Sequence, residues 1–371
     1  MFKQLILLLC LAPTTLWAQA VTPLPDSGGL LVSITEKAIQ PLYRELDKAG
    51  EALAQQSKVF CSNPDQTNFT AVRQAWAETL LAWQRTDALL FGPAVENQRD
   101  FNVHFTPPKK LVIQKHLNAS TALTPDTIAQ TGVGGRGLPA LEWLLFDREQ
   151  PIDAQLKTFQ QDSGKRRCAY VQAASELLQG DLHEIAQAWA DEGDSYAKAF
   201  KTAAQGNAHL ANTQQALDTL VGKIYQSSEK IAKNRLGNPL GKGLVSSGTN
   251  HDTVQNQSNA YQLEAWRSGY AIQSVRANMQ GLQRLLVDGG ILAQLKTQTA
   301  NQALAEQLTT AIEAFLKLPV PETDPFELIS QGKGATLDDY YLRAETIRSL
   351  IRTQLAPAMG VQLGFNDNDG D

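Results

Sequence analysis

The segment YQLEAWRSGYAIQSVRANMQGLQRLL, residues 261–286, carries the longest regular pattern in the sequence. Positions spaced alternately four and three apart form one stripe, apolar except for a single serine: Tyr261, Ala265, Ser268, Ile272, Val275, Met279, Leu282 and Leu286. This is the a/d spacing with which a helix packs against its neighbours in a bundle. The segment therefore predicts one continuous amphipathic helix.

The same helical spacing recurs elsewhere along the chain. Further stripes run over residues 69–90, 171–189, 217–235 and 337–355. We find no convincing alternation of the kind that marks a half-buried strand. Glycine- and proline-rich stretches, such as 131–137 and 236–250, separate the stripes as loops. The sequence thus predicts an all-α fold of two antiparallel, four-helix-type bundle domains, residues 21–205 and 206–371, divided within the polar stretch 191–212.

The N-terminus has the features of a secretory signal peptide. Lys3 supplies a positive charge, residues 5–11 are mostly apolar, and residues 18–20 read Ala-Gln-Ala, a small-x-small cleavage pattern. The apolar stretch is too short to span a bilayer. We therefore expect cleavage near Ala20 and a periplasmic location, with an uncleaved membrane anchor as the alternative.

Two cysteines, Cys61 and Cys168, remain after such cleavage. An even number of cysteines in an oxidising compartment favours a disulfide. We therefore predict a Cys61–Cys168 bond, and two free buried thiols are the alternative.

Composition limits the classes of partner. The formal net charge is -5, charged residues make up 19% of the chain, and no block of basic residues occurs. A chain of this kind is not suited to binding the phosphate backbone of nucleic acids. Large-scale disorder is also excluded, because the charged fraction is low and apolar residues are plentiful.

The glycine-rich run 132–137, GVGGRG, matches a dinucleotide-binding fingerprint as a string. That site requires a preceding strand, and none is predicted here. The better interpretation is a loop that leads into a helix, with Pro139 in its first turn. Glu142 then has two open roles: a buried carboxylate that accepts backbone hydrogen bonds and organises the glycine loop, or a ligand contact in a cleft.

Residues 137–146, GLPALEWLLF, resemble the signature of imelysin-like proteins. The family motif is Gly-x-His-x-x-Glu, followed by an aromatic residue and two leucines. Gly137 and Glu142 match this motif, whereas Pro139 stands where the family has histidine. In the second half, residues 264–268 and Asn278 are similar to a family helix with a Glu-x-x-x-Ser pattern and a later asparagine. The resemblance covers nearly the whole mature chain.

The resemblance implies two four-helix bundles with the motif near their interface, and an association with iron or haem acquisition. In the family pattern the histidine and glutamate are placed to share a metal, but proline offers no donor. The five histidines are scattered, and each is expected to be solvated, so no complete metal site is visible. An iron- or haem-related ligand is what the resemblance implies, and its identity stays open.

These observations predict a non-enzymatic ligand-binding or accessory protein in bacterial iron or haem uptake. The alternatives are an imelysin-type metallopeptidase and a cell-envelope interaction module. The expected partner is a small ligand or an iron-uptake component, with an envelope protein as a further option. No catalytic residue is assigned.

We place the ligand site in a cleft between the two bundles. Its candidate residues are Gly137, Pro139, Glu142, Arg235, Glu264, Ser268 and Asn278. In one continuous helix, Glu264 and Ser268 share a face and Asn278 lies about 80 degrees from Ser268. The alternative is simple packing, in which Ser268 is a small core residue, Arg235 extends its charge to water at a helix end, and Glu264 pairs with Arg267.

Overall fold

The structure is a computed structural model that describes residues 27–242 and 257–364, together with the backbone of 244–246 and 253–255. The expected signal peptide lies outside the described residues. Among the helices that are described, none combines the length and the apolar character needed to cross a bilayer.

The N-terminal half (residues 27–205) is built on a long helix that packs against two others. Its α-helices are α1 Ser27–Ile34, α2 Gln40–Ser62, α3 Gln66–Arg85, α4 Arg99–Val103, α5 Lys110–Asn118, α6 Pro125–Ala129, α7 Gly137–Leu145, α8 Ile152–Gln160, α9 Asp162–Ala188 and α10 Tyr196–Lys201. Helix α2 lies against both α3 and α9, and α7 packs against α9. Large aromatic side chains fill the space between these helices, including Phe60, Phe69 and Trp76.

The predicted disulfide is confirmed. Cys61 near the end of α2 is bonded to Cys168 in α9, and their Cα atoms lie 5.4 Å apart. The bond joins two helices that also pack along their lengths. It therefore closes a long loop of chain around the core of the N-terminal half.

The C-terminal half (residues 206–364) is also helical. Its α-helices are α11 Thr213–Glu229, α12 Ala271–Gln283, α13 Ile291–Lys296, α14 Gln302–Leu316, α15 Pro325–Ser330, α16 Asp338–Leu350 and α17 Ala356–Ala358. Helix α16 packs against both α11 and α14. A short antiparallel pair is formed by β1 Leu244–Ser246, which lies in the stretch 236–250 expected to be an irregular loop, and β2 Thr253–Gln255, which follows that stretch. With this small exception, the all-α prediction is confirmed.

Several helices change pitch along their length within the described residues. π-Helical segments continue α-helices at Thr35–Ile39, Lys230–Gly237, Arg284–Asp288 and Ile351–Leu355. 3₁₀ turns occur at Asp87–Leu89, Gly92–Ala94, Glu96–Gln98, Val133–Gly135, Ala203–Gln205, Ala260–Gln262, Thr299–Asn301 and Gly334–Leu337. A π segment adds a residue to a turn and so rotates the side chains that follow it, which often occurs at functional sites.

The two halves meet where α3 packs against α12. The backbones come so close that a Cβ atom at Gly281 would lie 2.1 Å from the carbonyl oxygen of Arg85. Buried apolar side chains form one continuous core that includes residues of both halves. The division into two domains near residue 205 stays a prediction.

The expectation of one helix over residues 261–286 was wrong. Helix α12 begins only at Ala271, and residues 264–269 form turns after the 3₁₀ turn Ala260–Gln262. Ala265 and Gly269 have positive φ angles, 51° and 79°, which a right-handed helix does not allow. The predicted shared helix face of Glu264 and Ser268 is therefore wrong too.

Candidate functional site

The motif helix α7 begins at a point where only glycine fits. Gly137 has a φ of +74°, and a Cβ atom there would lie 2.4 Å from the carbonyl oxygens of Asn102 and Val103. Glycine at this position therefore lets the start of α7 lie directly against the segment that ends in His104.

Glu142 of α7 is buried and bonded to the C-terminal half. Its Oε1 accepts hydrogen bonds from the backbone N–H of Ser268 at 2.9 Å and from the Ser268 hydroxyl at 2.8 Å. Burial raises the pKa of Glu142, against the opposing effects of Ser268 and of the charge of Arg267. Of the two roles left open, the buried carboxylate with a backbone partner is observed, but the partner is Ser268 rather than the glycine loop.

Arg235 forms the centre of a second buried cluster. It lies in the π-helical segment Lys230–Gly237 and is only 9% exposed. Its guanidinium donates from Nε to Glu264, from Nη1 to the Asn278 side-chain oxygen at 2.9 Å, and from Nη2 to Asp87 at 3.1 Å. The alternative roles, of Arg235 as a solvated helix end and of Glu264 as a partner of Arg267, are therefore not observed.

Further polar groups complete this buried ion network, which we define as Gln84, Asp87, His104, Lys230, Arg235, Glu264 and Asn278. Gln84 donates to Glu264 at 2.6 Å, and its backbone oxygen accepts from Asn278 at 2.7 Å. Lys230 donates to Asp87 at 3.1 Å. Since Gln84 and Asp87 belong to the N-terminal half, the buried ion network joins the two halves.

The charges in the buried ion network balance, with two carboxylates against two cations. Burial acts to raise the pKa values of Asp87 and Glu264, but the combined effect of their charged and hydrogen-bonding neighbours, Arg235 foremost, outweighs it and holds both below their usual range. The same carboxylates raise the pKa of Arg235 above its usual range, against the opposing effect of burial. All three groups are therefore ionised in the folded protein at neutral pH.

His104 is the residue that sequence reasoning missed most clearly. It was expected to be solvated, but its side chain is 14% exposed, and its Nε2 lies 3.1 Å from Glu264 Oε1. Burial lowers the pKa of His104, against the attraction of Glu264. Because an ionised carboxylate only accepts hydrogen bonds, the neutral imidazole donates from Nε2. Its Nδ1 is left as an acceptor with no hydrogen bond to a described residue.

A cavity of about 370 Å³ lies beside these groups, and we call it the interface cavity. Residues of both halves line it: Trp76, Leu80, His104, Thr106, Pro107, Pro108, Leu138, Pro139, Glu142, Asn234, Asn238, Tyr261, Gln262, Leu263, Ala265, Trp266 and Arg267. Of the predicted site residues, Pro139 and Glu142 line it, whereas Gly137, Arg235, Glu264, Ser268 and Asn278 support its walls. A larger open groove of about 640 Å³, between α14 and α16, shares no residue with it.

The donor set around the interface cavity does not suit a hydrolytic metal ion. Pro139 provides no ligand, the Nε2 of His104 is used by Glu264, and one oxygen of Glu142 is used by Ser268. Within the part of the chain that the structure describes, no three His, Cys, Asp or Glu side chains are grouped to hold a metal. Catalytic zinc sites use three protein ligands.

Fold and cavity together define an all-helical protein with a candidate site between its two halves. The sequence model of the peptidase family described as Imelysin matches residues 39–331. This match covers most of the chain, so the protein belongs to the Imelysin family.

Individual relatives agree with this assignment. A curated relative, "Iron-regulated protein A" of Synechococcus elongatus, is 22% identical over 295 residues, which cover 77% of this chain and 74% of the relative. The crystal structure of an imelysin-like protein from Psychrobacter arcticum matches with a TM-score of 0.69 at 22% identity, covering 91% of this chain and 97% of that one. A putative iron-regulated protein A precursor from Parabacteroides distasonis gives 0.70 at 18% identity, covering 92% and 95%. At these identities the two structures establish the fold alone.

Proposed function

We propose that this protein is an exported, non-enzymatic binding protein that serves bacterial iron or haem uptake, and that its ligand occupies the interface cavity. The observation that carries the proposal is the position of Glu142. This carboxylate is 7% exposed, lines the cavity, and uses only one of its oxygens in hydrogen bonds to described residues. A buried carboxylate with a free oxygen in a cavity is the arrangement expected of a ligand contact.

The iron setting rests on the family and on the relatives named for iron regulation. Export is supported by the Cys61–Cys168 bond, because disulfides persist mainly in oxidising compartments. It is also supported by the signal-like sequence of residues 1–20. A periplasmic location is therefore part of the proposal.

The family name favours a peptidase, but the donor set favours binding. A metallopeptidase needs three protein ligands and a bound water that attacks the peptide carbonyl. Here proline replaces the motif histidine, and His104 is already committed to Glu264 through Nε2. The remaining groups in the interface cavity can accept and donate hydrogen bonds, which is sufficient for recognition.

The test is to express the protein with its signal in its native host under iron limitation and to purify it from the periplasm. We expect a small molecule, free or with iron, to copurify with the wild-type protein at near-stoichiometric amounts by mass spectrometry. Glu142→Gln should lose the ligand and impair iron-limited growth while unfolding at a similar temperature. Glu51→Gln, an exposed change in α2, is the matched control.

Two results would contradict the proposal. A wild-type protein that copurifies with nothing, together with normal iron-limited growth of the Glu142→Gln strain, would remove the binding role. Chelator-sensitive cleavage of unfolded protein substrates, lost in Glu142→Gln and kept in Glu51→Gln, would establish the peptidase instead.

A further inference from the structure

We propose that the interface cavity is selective for an organic cation, a protonated amine or amidine on an apolar body, with Glu142 as its counter-ion. This inference rests on the proposed function in that it takes the interface cavity to be the binding site. It goes beyond that function because it states the charge and the hydrogen-bonding character of the ligand.

Two acceptor atoms of residues that line the interface cavity have no hydrogen bond to a described residue. Glu142 Oε2 accepts no hydrogen bond from a described residue, and the carboxylate is more than nine-tenths buried. His104 Nδ1 carries a lone pair, because the proton of the neutral ring is on Nε2 and bonded to Glu264. A ligand that satisfies both atoms must bring N–H or O–H donors.

The negative charge of Glu142 favours a cationic donor over a neutral one. Behind the cavity, the carboxylates of Asp87 and Glu264 are matched by Arg235 and Lys230. Among the described residues, Glu142 has no cationic partner at contact distance, and burial raises its pKa. A cationic N–H group placed against Glu142 Oε2 would form a charge-assisted bond, which is roughly twice as strong as a neutral one.

Arg267 is the cation on the cavity wall, and it does not reverse this preference. Its guanidinium carbon lies 4.2 Å from the centroid of the Trp266 ring, so the group is stacked on that aromatic face. No hydrogen bond between Arg267 and the carboxylate of Glu142 occurs among the described contacts. An anionic ligand that reached Arg267 would still have to share the cavity with the Glu142 carboxylate.

The apolar residues of the lining set the apolar part of the ligand. Trp76, Leu80, Leu138 and Pro139 line the cavity, and the Trp76 ring nitrogen is already bonded to the Leu138 backbone oxygen at 3.0 Å. These surfaces offer no free hydrogen-bonding group and favour contact with hydrocarbon or an aromatic ring. A cavity of about 370 Å³ suits a compact ligand with one charged end.

Three probes of nearly equal shape test the charge preference: benzylammonium, benzyl alcohol and benzoate. Binding is measured with purified, ligand-free protein at neutral pH by saturation-transfer NMR and by calorimetry. We expect benzylammonium to bind about tenfold more tightly than benzyl alcohol, as one charge-assisted bond provides, and benzoate not to bind. Glu142→Gln should abolish the preference, Glu142→Asp should retain it, and the exposed Glu51→Gln should behave as wild type.

Equal binding of all three probes, a preference for benzoate, or a preference for benzylammonium that survives in Glu142→Gln would each overturn the inference. So would stoichiometric binding of Fe²⁺ or Zn²⁺ that displaces benzylammonium. Failure of the cation preference can be distinguished from failure of the proposed function. A neutral or anionic native ligand that is lost in Glu142→Gln would leave the binding function in place and remove only the cation preference.

Discussion

Replacing Arg235 with methionine should destabilise the fold strongly at neutral pH. The change keeps an unbranched side chain but removes three hydrogen bonds, to Asp87, Glu264 and Asn278. Removing one partner of a buried ion pair costs about 3–5 kcal/mol, because the remaining charge stays buried. Asp87 keeps Lys230, and Glu264 keeps Gln84, so we expect the lower end, about 3 kcal/mol.

The loss of stability caused by Arg235→Met should become smaller as the pH falls. In the wild-type protein, Arg235 holds the pKa values of Asp87 and Glu264 low, so this stabilisation is present above the unfolded-state pKa values of about 4 and is lost on acidification. Without Arg235, burial raises both pKa values, and the carboxyls take up protons in the folded state. Protonation therefore relieves the variant already at pH 4.5, whereas the wild type begins to lose this stabilisation only as the pH falls through about 4.

The assay is urea denaturation followed by circular dichroism at pH 7 and at pH 4.5, for the wild type, Arg235→Met and a control variant. Lys317→Met is the control, because its pair with Glu313 is exposed and should change stability by only about 0.5 kcal/mol. A loss below about 1 kcal/mol for Arg235→Met, or a loss of the same size at both pH values, would refute the electrostatic account of the buried ion network.

Two further changes test the disulfide and the contact between α3 and α12. Replacing Cys61 and Cys168 together with serine should lower the free energy of unfolding by about 4 kcal/mol, since the bond closes a loop of roughly 100 residues; unfolding curves with and without reductant should then coincide for the variant and differ for the wild type. Gly281→Ala should lower the free energy of unfolding by about 1–3 kcal/mol in thermal or urea denaturation, because its Cβ would meet the Arg85 carbonyl oxygen. An unchanged midpoint would show that α3 and α12 can move apart without loss of stability.

Much of the helical fold could be predicted from local spacing alone. The stripes over residues 69–90 and 171–189 correspond to α3 and α9, apart from their last residues, because one face of each helix is buried in the core. The stripe over 261–286 had the same spacing but failed in its first ten residues. Gly269 was the available local signal of a break, since glycine readily adopts the positive φ found there.

The site was predicted only in part, because its contacts join distant residues. Glu142 and Pro139 were recognised from the motif and do line the interface cavity. Asp87 and His104 were missed, since their partners Arg235 and Glu264 lie more than a hundred residues further along the chain. No local pattern marks such pairs, and a buried histidine has the same sequence appearance as a solvated one.

In the loop 264–268, the local backbone conformation and the long-range contacts depend on each other. Its first residue, Glu264, is bound by Arg235, and its last, Ser268, is bound through backbone and hydroxyl by Glu142. In a continuous helix, Glu264 and Ser268 would lie on one face about 6 Å apart and could not reach these two separate partners in the same way. Burying Arg235 or Glu142 without a partner would cost more than the few intrahelical bonds that the turn gives up. The non-helical loop thus gives both buried charges a partner, and it places Ala265, Trp266 and Arg267 on the cavity wall.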